Sequence, residues 1–396
     1  MHRLSLAVAV LLGLSACGRG TPLPARALAG KVAATVSTAS YAPWAQAGHD
    51  ARRSGASSST GPRTAALRWT RQLEGNVTPG PVIGPGGTIY AASNQGTLHA
   101  LDPRTGKDLW TFRPAGGYGI DLSTSPAVLA DGTVIWPGPG ALYALDRTGK
   151  LLWRESLAGP TSPALDGTRV VVGDQNGTVV SIDVPTHTVQ WRVDLGSSSY
   201  GSVALSPTDP HRSYQTAGHE LFALDDGHIA WRHDLGDLVE VSPAVAPDGT
   251  VVVGSNNHNE RGFSPAGKQL WRYDREAETY SSPVVTDDGL AYFGDHDGVV
   301  NALEAATGKV RARYLGPRRR PADNRSIGVC TSPVIDATHT VYWGTRSGHL
   351  HAVDAAGTQL FDLETVATIE SYPALGDGLL VVGVTDGRLL AVGGPA

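Results

Sequence analysis

The stretch that decides the fold is Gly96-Thr-Leu-His-Ala-Leu-Asp102, followed by Thr105-Gly-Lys-Asp-Leu-Trp110. A short alternating apolar segment, an Asp-x-x-Thr-Gly corner and a segment that carries a tryptophan are typical of two strands joined by a tight turn. The same pattern returns several times along the chain. The further copies are 140–146 (GALYALD) with 148–153 (TGKLLW), 298–304 (GVVNALE) with 307–309 (TGK), and 348–354 (GHLHAVD).

Two markers recur in constant order, at a period of about forty residues. One is the tryptophan near the end of each unit, whose register is kept by Ala312 and Phe361 in later units. The other is a Ser-Pro step before an apolar strand, and Asn-Gly or Asp-Gly turns separate the strands that follow. Repeats of this length with four strands each are typical of β-propeller blades. The tryptophans are Trp69, Trp110, Trp153, Trp191, Trp231 and Trp271, and the Ser-Pro steps begin at Ser125, Ser162, Ser242, Ser282 and Ser332.

Eight positions in the register of the tryptophan predict eight blades. The last unit, 362–396, contains only three strands, whereas Leu67-Arg68-Trp69 is a fourth strand without a blade of its own. Pairing the two would close the ring and remove exposed sheet edges. We therefore predict an all-β, eight-bladed propeller of four-stranded antiparallel blades over residues 42–396. A seven-bladed ring, which would discard one well-formed unit, is the alternative.

The N-terminus reads as a targeting segment. His2 and Arg3 precede an apolar run, 4–14, that is too short to span a membrane, and Leu14-Ser-Ala-Cys17 follows. This box resembles the bacterial lipoprotein signal, which implies removal of residues 1–16 and acylation of Cys17, each buried methylene adding ~0.8 kcal/mol of membrane affinity. Residues 17–41 would be a flexible tether. We predict an exported lipoprotein that faces the periplasm or the cell surface; a plain secretory signal is the alternative.

Composition narrows the possible partners. The net charge of −5 leaves no domain-wide basic field, so we expect no nucleic acid partner. With Cys17 acylated, Cys330 has no disulfide partner; it is interpreted as a small residue packed in a strand, or alternatively as a reactive thiol. No Ser-His-Asp order, P-loop or metal-binding histidine spacing is present, so we expect no catalytic residues and no metal. We also expect a monomer.

The repeat resembles the pyrroloquinoline-quinone (PQQ) type of propeller repeat, whose units run Ser-Pro, Asp-Gly, Gly-x-Leu-x-Ala-Leu-Asp, Thr-Gly and Trp. The likeness extends from Trp44 to Val392, and 44–55 (WAQAGHDARRSG) resembles a lead-in of such proteins. The resemblance implies eight blades with the six tryptophans docked between neighbouring blades. It also raises PQQ with Ca²⁺ as a cofactor. The chain lacks the adjacent cysteine pair and the carboxylate set of the alcohol dehydrogenase branch, which argues against that branch.

A lipoprotein signal joined to such a propeller is similar to the BamB family of the outer-membrane β-barrel assembly machinery. That resemblance implies partner binding through loops that precede the Ser-Pro strands, here 195–202, 236–242 and 275–282. Glu240 occupies a position where the family would place an acidic contact.

The partner-binding candidates are tyrosines and carboxylates in these loops, together with an arginine-rich insertion. Tyrosine offers a large contact area with a polar tip, and clustered arginines suit an acidic partner or anionic lipid. The alternative is a solvated channel mouth and a cationic surface loop. The candidates are Tyr118, Tyr200, Glu240, Tyr280, Arg318, Arg319, Arg320, Arg325, Glu370 and Tyr372.

Two polar stretches are interpreted as turns. Asp295-His-Asp-Gly298 has oxygen ligands at alternate positions, but a hairpin turn accounts for it. Asn256-Asn-His-Asn-Glu-Arg261 is interpreted as a slightly enlarged, solvated loop. The sequence as a whole predicts a non-catalytic envelope scaffold that binds other envelope proteins. Outer-membrane protein assembly is one process in which such a scaffold could act. A PQQ- or small-ligand-binding oxidoreductase or sensor is the alternative.

Overall fold

The computed structural model describes residues 44–115, 124–275, 277–315 and 327–394, which form a ring of eight four-stranded antiparallel sheets. The eight blades predicted from the repeat are confirmed. The predicted signal peptide (1–16), the acylation site Cys17 and the tether (17–41) lie outside the described residues.

Each blade runs from a short inner strand at the axis to an outer strand at the rim. A single short 3₁₀ turn, Pro85–Gly87, interrupts the described strands of blade 1. Blades 1 to 4 are β2 (Val82–Ile83), β3 (Ile89–Ser93), β4 (Thr97–Leu101) and β5 (Asp108–Phe112); β6 (Ala127–Val128), β7 (Val134–Gly138), β8 (Ala141–Leu145) and β9 (Leu151–Ser156); β10 (Ala164–Asp166), β11 (Arg169–Gly173), β12 (Thr178–Asp183) and β13 (Thr188–Asp194); β14 (Ala204–Leu205), β15 (Arg212–Ala217), β16 (Glu220–Asp225) and β17 (His228–Asp234). Blades 5 to 8 are β18 (Ala244–Val245), β19 (Val251–Ser255), β20 (Asn259–Phe263) and β21 (Gln269–Asp274); β22 (Val284–Val285), β23 (Leu290–Gly294), β24 (Val299–Glu304) and β25 (Val310–Leu315); β26 (Val334–Ile335), β27 (Val341–Gly344), β28 (His349–Val353) and β29 (Gln359–Glu364); β30 (Ala374–Gly376), β31 (Leu379–Gly383) and β32 (Arg388–Val392) with β1 (Leu67–Gln72).

The N-terminal strand closes the ring, as the sequence predicts. Strand β1 pairs antiparallel with β32, so that Trp69 lies opposite Ala391. The first and last parts of the propeller are thereby held in one sheet, and blade 8 has its fourth strand.

A β-bulge in each outer strand aims the tryptophan. In blade 1, Trp110 pairs with Ala100 but Asp108 pairs with Leu101, so Leu109 is the extra residue. The shift recurs at the same place in the other blades, and the residue opposite this position is always Ala, Ser or Gly; only in blade 6 is the position itself not aromatic but Ala312. A bulge turns a side chain and increases local twist. It therefore directs the ring toward the neighbouring blade over a small partner.

The tryptophans dock on the next blade through a hydrogen bond and a glycine. The indole Nε1 of Trp69 donates to the carbonyl oxygen of Pro103 at 2.9 Å, and Trp110, Trp153, Trp231 and Trp271 donate to equivalent carbonyls. Gly106 has a φ of +67°, and a Cβ there would lie 2.7 Å from the Trp69 ring. The glycine of each Thr-Gly corner thus serves both the turn and the dock.

Trp191 is the exception. Its indole nitrogen is buried without a hydrogen-bond partner among the described residues. The turn that should supply the acceptor, Asp225–His228, is shorter than its counterparts, and Asp226 adopts a φ of +43°. The carbonyl that follows the Asp, Ser or Glu of this corner in the other blades is therefore not presented to the Trp191 ring.

The stretch 256–261 corrects the sequence interpretation. The turn has the same length as that of blade 1, because His258, with a φ of +64°, takes the place of glycine. Asn259 already belongs to β20, and both Asn259 and Glu260 are fully buried. Residues 256–258 form the turn, whereas 259–261 begin a core strand with polar side chains, so the interpretation as an enlarged solvated loop is wrong for 259–261.

The lead-in segment 44–62, here the N-terminal belt, crosses the axis and contacts every blade. Backbone amides of the inner strands donate to carbonyl oxygens of Trp44, Ala45, Ala51, Arg52 and Gly55 at 2.7–2.9 Å in five blades, and in blade 8 the amide of Gly378, in the turn after β30, donates to Thr60 O at 2.8 Å. Side chains serve the other two: the Gln46 Oε1 accepts from Leu165 N at 2.8 Å, and Arg52 Nη1 donates to Val285 O at 2.8 Å. Because the belt pairs at the inner strand ends, it closes one end of the axial channel.

Arg53 is the centre of the belt. Its side chain is buried, and it donates to the carbonyl oxygens of Ala47, Ser162 and Val203 at 2.7, 2.9 and 3.0 Å. Burial lowers the pKa of Arg53 to about 10, which leaves the guanidinium charged at neutral pH. A charged donor that satisfies three carbonyls from the belt and two blades ties these elements together.

Candidate interaction face

The ring has two chemically different faces. The lower face carries the belt and the turns that contain Thr-Gly. The upper face carries the loops between blades and the turns between the second and third strands, which hydrogen-bond to one another: Asn94 N donates to Asn76 O, and His296 N donates to Glu278 O, both at 3.0 Å. The loops that precede the Ser-Pro strands therefore lie on the upper face, around the channel mouth.

Five side chains from blades 6 to 8 form the Tyr280 cluster on the upper face: Tyr280, His296, Cys330, Arg346 and Glu370. The Tyr280 and His296 rings are 5.1 Å apart, and the Arg346 guanidinium lies 5.6 Å from the Tyr280 ring centroid. The Arg346 Nε is 4.0 Å from Glu370 Oε1. Arg346 and Glu370 are more than a third exposed, so the cluster presents to solvent a cation that lies between an aromatic ring and an anion.

Burial sets the protonation of the two remaining members. Burial lowers the pKa of His296, and the charge of Arg346 lowers it further, so the ring is neutral at neutral pH. Burial raises the pKa of Cys330 to about 11, against the opposing charge of Arg346. The thiol is therefore protonated and a poor nucleophile. Cys330 lies in the loop before β26, which corrects its assignment to a strand.

The other predicted residues are spread around the mouth. Tyr200 is 49% exposed in the loop before β14. Glu240 is half-buried, and its Oε2 accepts from Asn256 Nδ2 at 3.1 Å. Tyr372 faces the axis, where it lines the same cavity as Arg53. The structure thus brings Tyr280 and Glu370 together but places Tyr200 and Tyr372 elsewhere. Tyr118, Arg318, Arg319, Arg320 and Arg325 lie outside the described residues.

Sequence reasoning missed the two residues that join the cluster, His296 and Arg346. Both lie in turns between the second and third strands, at the register of Asn94 in blade 1. The repeat alignment contains that register. Both residues can be found from the repeat alignment if these turns are assigned to the same face as the loops between blades.

The axis of the ring is filled by the serines of the Ser-Pro steps. Ser125, Ser162, Ser202 and Ser242 each donate a backbone N–H to the hydroxyl of the serine in the next blade, at 2.8–3.1 Å. The cavity that they enclose with Arg53 and Tyr372 has a volume of about 30 Å³. This volume holds roughly two water molecules. The residues that line it leave no space for the three fused rings of PQQ.

A larger, open cleft of about 380 Å³ lies on the lower face, beside the belt. Its walls include one cation, Arg52, the carboxylates of Asp50 and Asp166, and no aromatic side chain. PQQ is a flat tricarboxylate, which requires stacking surfaces and an excess of cations, so this cleft fits it poorly.

The described ranges contain neither a candidate metal cluster nor a candidate membrane-spanning helix. These residues contain no group of three or more His, Cys, Asp or Glu side chains arranged to hold a metal ion. Asp295 accepts from the amides of Asp297 and Val299 at 3.1 and 3.0 Å, so the 295–298 stretch is a hairpin turn. Within the same ranges, no helix has the length and apolar character needed to cross a bilayer.

Known proteins resemble this chain in repeat and fold. Tetrathionate hydrolase of Acidithiobacillus ferrooxidans is 27% identical over 215 residues, 44% of this chain and 42% of that protein. Quinohemoprotein alcohol dehydrogenase of Comamonas testosteroni is 29% identical over 154 residues, 32% of this chain and 21% of that protein. Outer membrane protein assembly factor BamB of Moranella endobia is 25% identical over 208 residues, 48% of this chain and 53% of that protein. The chain thus spans about half or less of the length of these relatives.

The fold and the repeat agree on the family. The crystal structure of BamB from Moraxella catarrhalis superposes with a TM-score of 0.63 at 17% identity, covering 82% of this chain and 96% of that one, a likeness that shows the fold alone. The sequence profile of the PQQ-type repeat family described as outer membrane protein assembly factor BamB matches residues 54–121, 95–213 and 175–393. These matches span nearly the whole propeller, and the chain therefore belongs to that family.

Proposed function

We propose that this protein is a non-catalytic envelope scaffold that binds another envelope protein through the upper face of the propeller. The observation that carries the proposal is the Tyr280 cluster, in which the partly exposed guanidinium of Arg346 lies between the Tyr280 ring and the carboxylate of Glu370. Tyrosine and arginine are enriched among the residues that dominate binding energy at protein interfaces. Membership of the assembly-factor family makes a component of the outer-membrane β-barrel assembly machinery the first partner to test.

The belt supports a particular orientation. Trp44, the first described residue, lies on the lower face, where its carbonyl accepts from Ile83 N at 2.9 Å. A lipid attached at Cys17 would therefore reach the domain from the side opposite to the Tyr280 cluster. In this arrangement the protein is anchored to a membrane by its lower side, and the upper face is directed toward partners in the periplasm or at the cell surface.

The test is affinity capture with matched variants. The tagged protein without its signal would be incubated with detergent-solubilised envelope, and bound proteins identified by mass spectrometry. Tyr280→Ala/Arg346→Ala/Glu370→Ala should reduce recovery of the assembly machinery about tenfold or more. Lys107→Ala/Lys150→Ala/Lys268→Ala, on exposed lower-face positions, is the control and should recover it fully.

Equal recovery by the upper-face variant and the control would contradict the proposal. Absence of any assembly component from the wild-type eluate would remove this partner.

A quinone-dependent oxidoreductase or sensor is the second candidate, favoured by the similarity to a quinohemoprotein alcohol dehydrogenase. The small axial cavity supports our proposal that the protein acts without PQQ. The test is titration of the purified protein with PQQ and Ca²⁺, followed by absorbance and by dye reduction with alcohols. Saturable quinone binding with turnover would replace the scaffold proposal.

A further inference from the structure

Blade 5 carries a charged pair in the core where other blades carry aliphatic side chains. Glu260 occupies a third-strand position at which the other seven residues are fully buried, and Arg275 occupies a position after the fourth strand that is a buried leucine in four blades. Both residues are buried, Glu260 completely and Arg275 to 6% exposure. The residues in register with Glu260 are Leu98, Leu142, Val179, Leu221, Val300, Leu350 and Leu389, and those in register with Arg275 include Leu73, Leu157, Leu195 and Leu235.

The polar atoms of this pair are incompletely satisfied by protein. Among the described residues, neither carboxylate oxygen of Glu260 has a hydrogen-bond partner, and the same holds for Nε and Nη1 of Arg275. The two side chains interact electrostatically, since the charge of Arg275 opposes the effect of burial on Glu260. Two acceptors and two donors enclosed together form a site that suits ordered water, which requires two to four polar partners.

Arg275 connects this buried pair to the upper face. Its Nη2 donates to the carbonyl oxygens of Ser255 and Asn259 at 2.8 and 3.1 Å, and its backbone N–H donates to His258 O at 2.7 Å. A leucine at this position makes the backbone bond only. The guanidinium therefore holds the turn 255–258 from below, which no aliphatic residue could do.

The turn 255–258 contacts Glu240 and Glu278, which lie in the upper-face loops on which the proposed function depends. The Nδ2 of Asn256 donates to Glu240 Oε2 at 3.1 Å, and His258 Nε2 lies 3.8 Å from Glu278 Oε1 in the loop that leads to Tyr280. One element thus touches the two neighbouring loops on the upper face. Its position decides where Glu240 and Glu278 are presented.

We propose that the side chains of Glu260 and Arg275 form a water-bridged pair that positions Glu240 and the Tyr280 loop for the partner. A buried pair of ionisable side chains stabilises no better than well-packed aliphatic side chains, and often less well. The pair is therefore expected to contribute to the geometry of the upper face and to specificity, not to stability. This inference rests on the proposed function of the upper face, but its structural part is measurable without a partner.

The first test is Glu260→Leu/Arg275→Leu, which installs the aliphatic pair of the other blades. We expect an unfolding temperature equal to or above that of the wild type, amide exchange at 255–258 about tenfold faster, and weaker capture of the partner. Lys268→Leu, on the lower face of the same blade, is the control and should change none of these. Water density between Glu260 and Arg275 in a high-resolution crystal structure is the direct readout of the bridge.

A second variant guards against a folding defect. Arg275→Met keeps the length of the side chain, and Glu260 can accept a proton when the guanidinium is gone, so the fold should persist. Exchange at 255–258 should again rise. Unchanged exchange in both variants, or a dry contact between the two side chains, would overturn the proposal. Faster exchange in a protein whose wild type captures no partner would leave the positioning intact and refute the proposed function instead.

Discussion

The two faces of this propeller are built by different means. The lower face is held by backbone hydrogen bonds from the belt to the blades, and by tryptophan rings that stack on glycines. Backbone hydrogen bonds also join the loops and turns of the upper face, but there single blades add side-chain contacts of their own: the Tyr280 cluster above, and the Glu260–Arg275 pair beneath. Backbone pairing depends little on residue identity, whereas side-chain networks depend on it entirely. The comparison teaches that the lower face carries stability, while the upper face is free to specify a partner.

The largest expected effect comes from the centre of the belt. Arg53→Met should lower the free energy of unfolding by about 4 kcal/mol, because three buried carbonyls lose a charged donor. Arg104→Met, on an exposed turn of the same face, is the control and should cost less than about 0.5 kcal/mol. The measurement is denaturant unfolding. A loss for Arg53→Met no greater than that of the control would break the assignment of stability to the lower face.

The next prediction concerns the pH dependence of stability, which Glu260 beneath the upper face should change and Arg53 on the lower face should not. Burial raises the pKa of Glu260 to about 7 from a model-compound value of 4.5. Between these values the folded protein holds a proton that the unfolded chain has released, so stability should fall as pH rises, by about 3 kcal/mol. Arg53, with a pKa of about 10, contributes no change in this range. Unfolding measured from pH 4.5 to 8 should lose this component in Glu260→Gln; an identical slope in that variant would contradict the prediction.

The lower face can be probed through two glycines with the same backbone angle. Gly149 has a φ of +84° and would place a Cβ 2.6 Å from the Trp110 ring, whereas Gly357, with a φ of +83°, has open space there. Gly149→Ala should cost about 3 kcal/mol from backbone strain and the clash, and Gly357→Ala about 1 kcal/mol from strain alone. The difference, from denaturant midpoints, isolates the tryptophan dock. Equal losses would show that the ring contributes nothing at this corner.

The smallest effect concerns the incomplete dock. Trp153→Phe removes a hydrogen bond to Val184 O, whereas Trp191→Phe removes a buried N–H that has no partner in the described chain. Trp191→Phe should therefore be milder by about 1 kcal/mol. Thermal unfolding of the two variants side by side measures the difference. A reversed order would mean that Trp191 has found an acceptor in solution.

Much of the fold follows from the repeat. The position of Trp69, three residues into a strand without a blade, predicts the closure with β32 that the structure has. The Thr-Gly corners and Ser-Pro steps predict the turns and the inner strands. These features are local, or they repeat at a fixed period, and such patterns can be read one unit at a time.

The errors arose where one blade departs from the others. The polar stretch 256–261 was interpreted as solvated because its side chains are polar, yet the register of β20 places Glu260 in the core. Cys330 was assigned to a strand but lies in a loop. Both interpretations relied on the type of residue and not on its register within the blade. The burial of Glu260 also depends on Arg275, fifteen residues away, and no local pattern reveals that pairing.

The sequence by itself determined the architecture: eight blades, their strand order, and the closure by the first strand. These follow from the periodic placement of glycine, proline and tryptophan, because each unit requires the same turns and the same dock. Only the tertiary structure decided which side chains meet. His296 and Arg346 join Tyr280 and Glu370 because neighbouring blades place their turns on one face, and the belt closes the channel because its carbonyls and side chains hydrogen-bond to all eight blades. Contacts between blades depend on the ring geometry, which no single repeat contains.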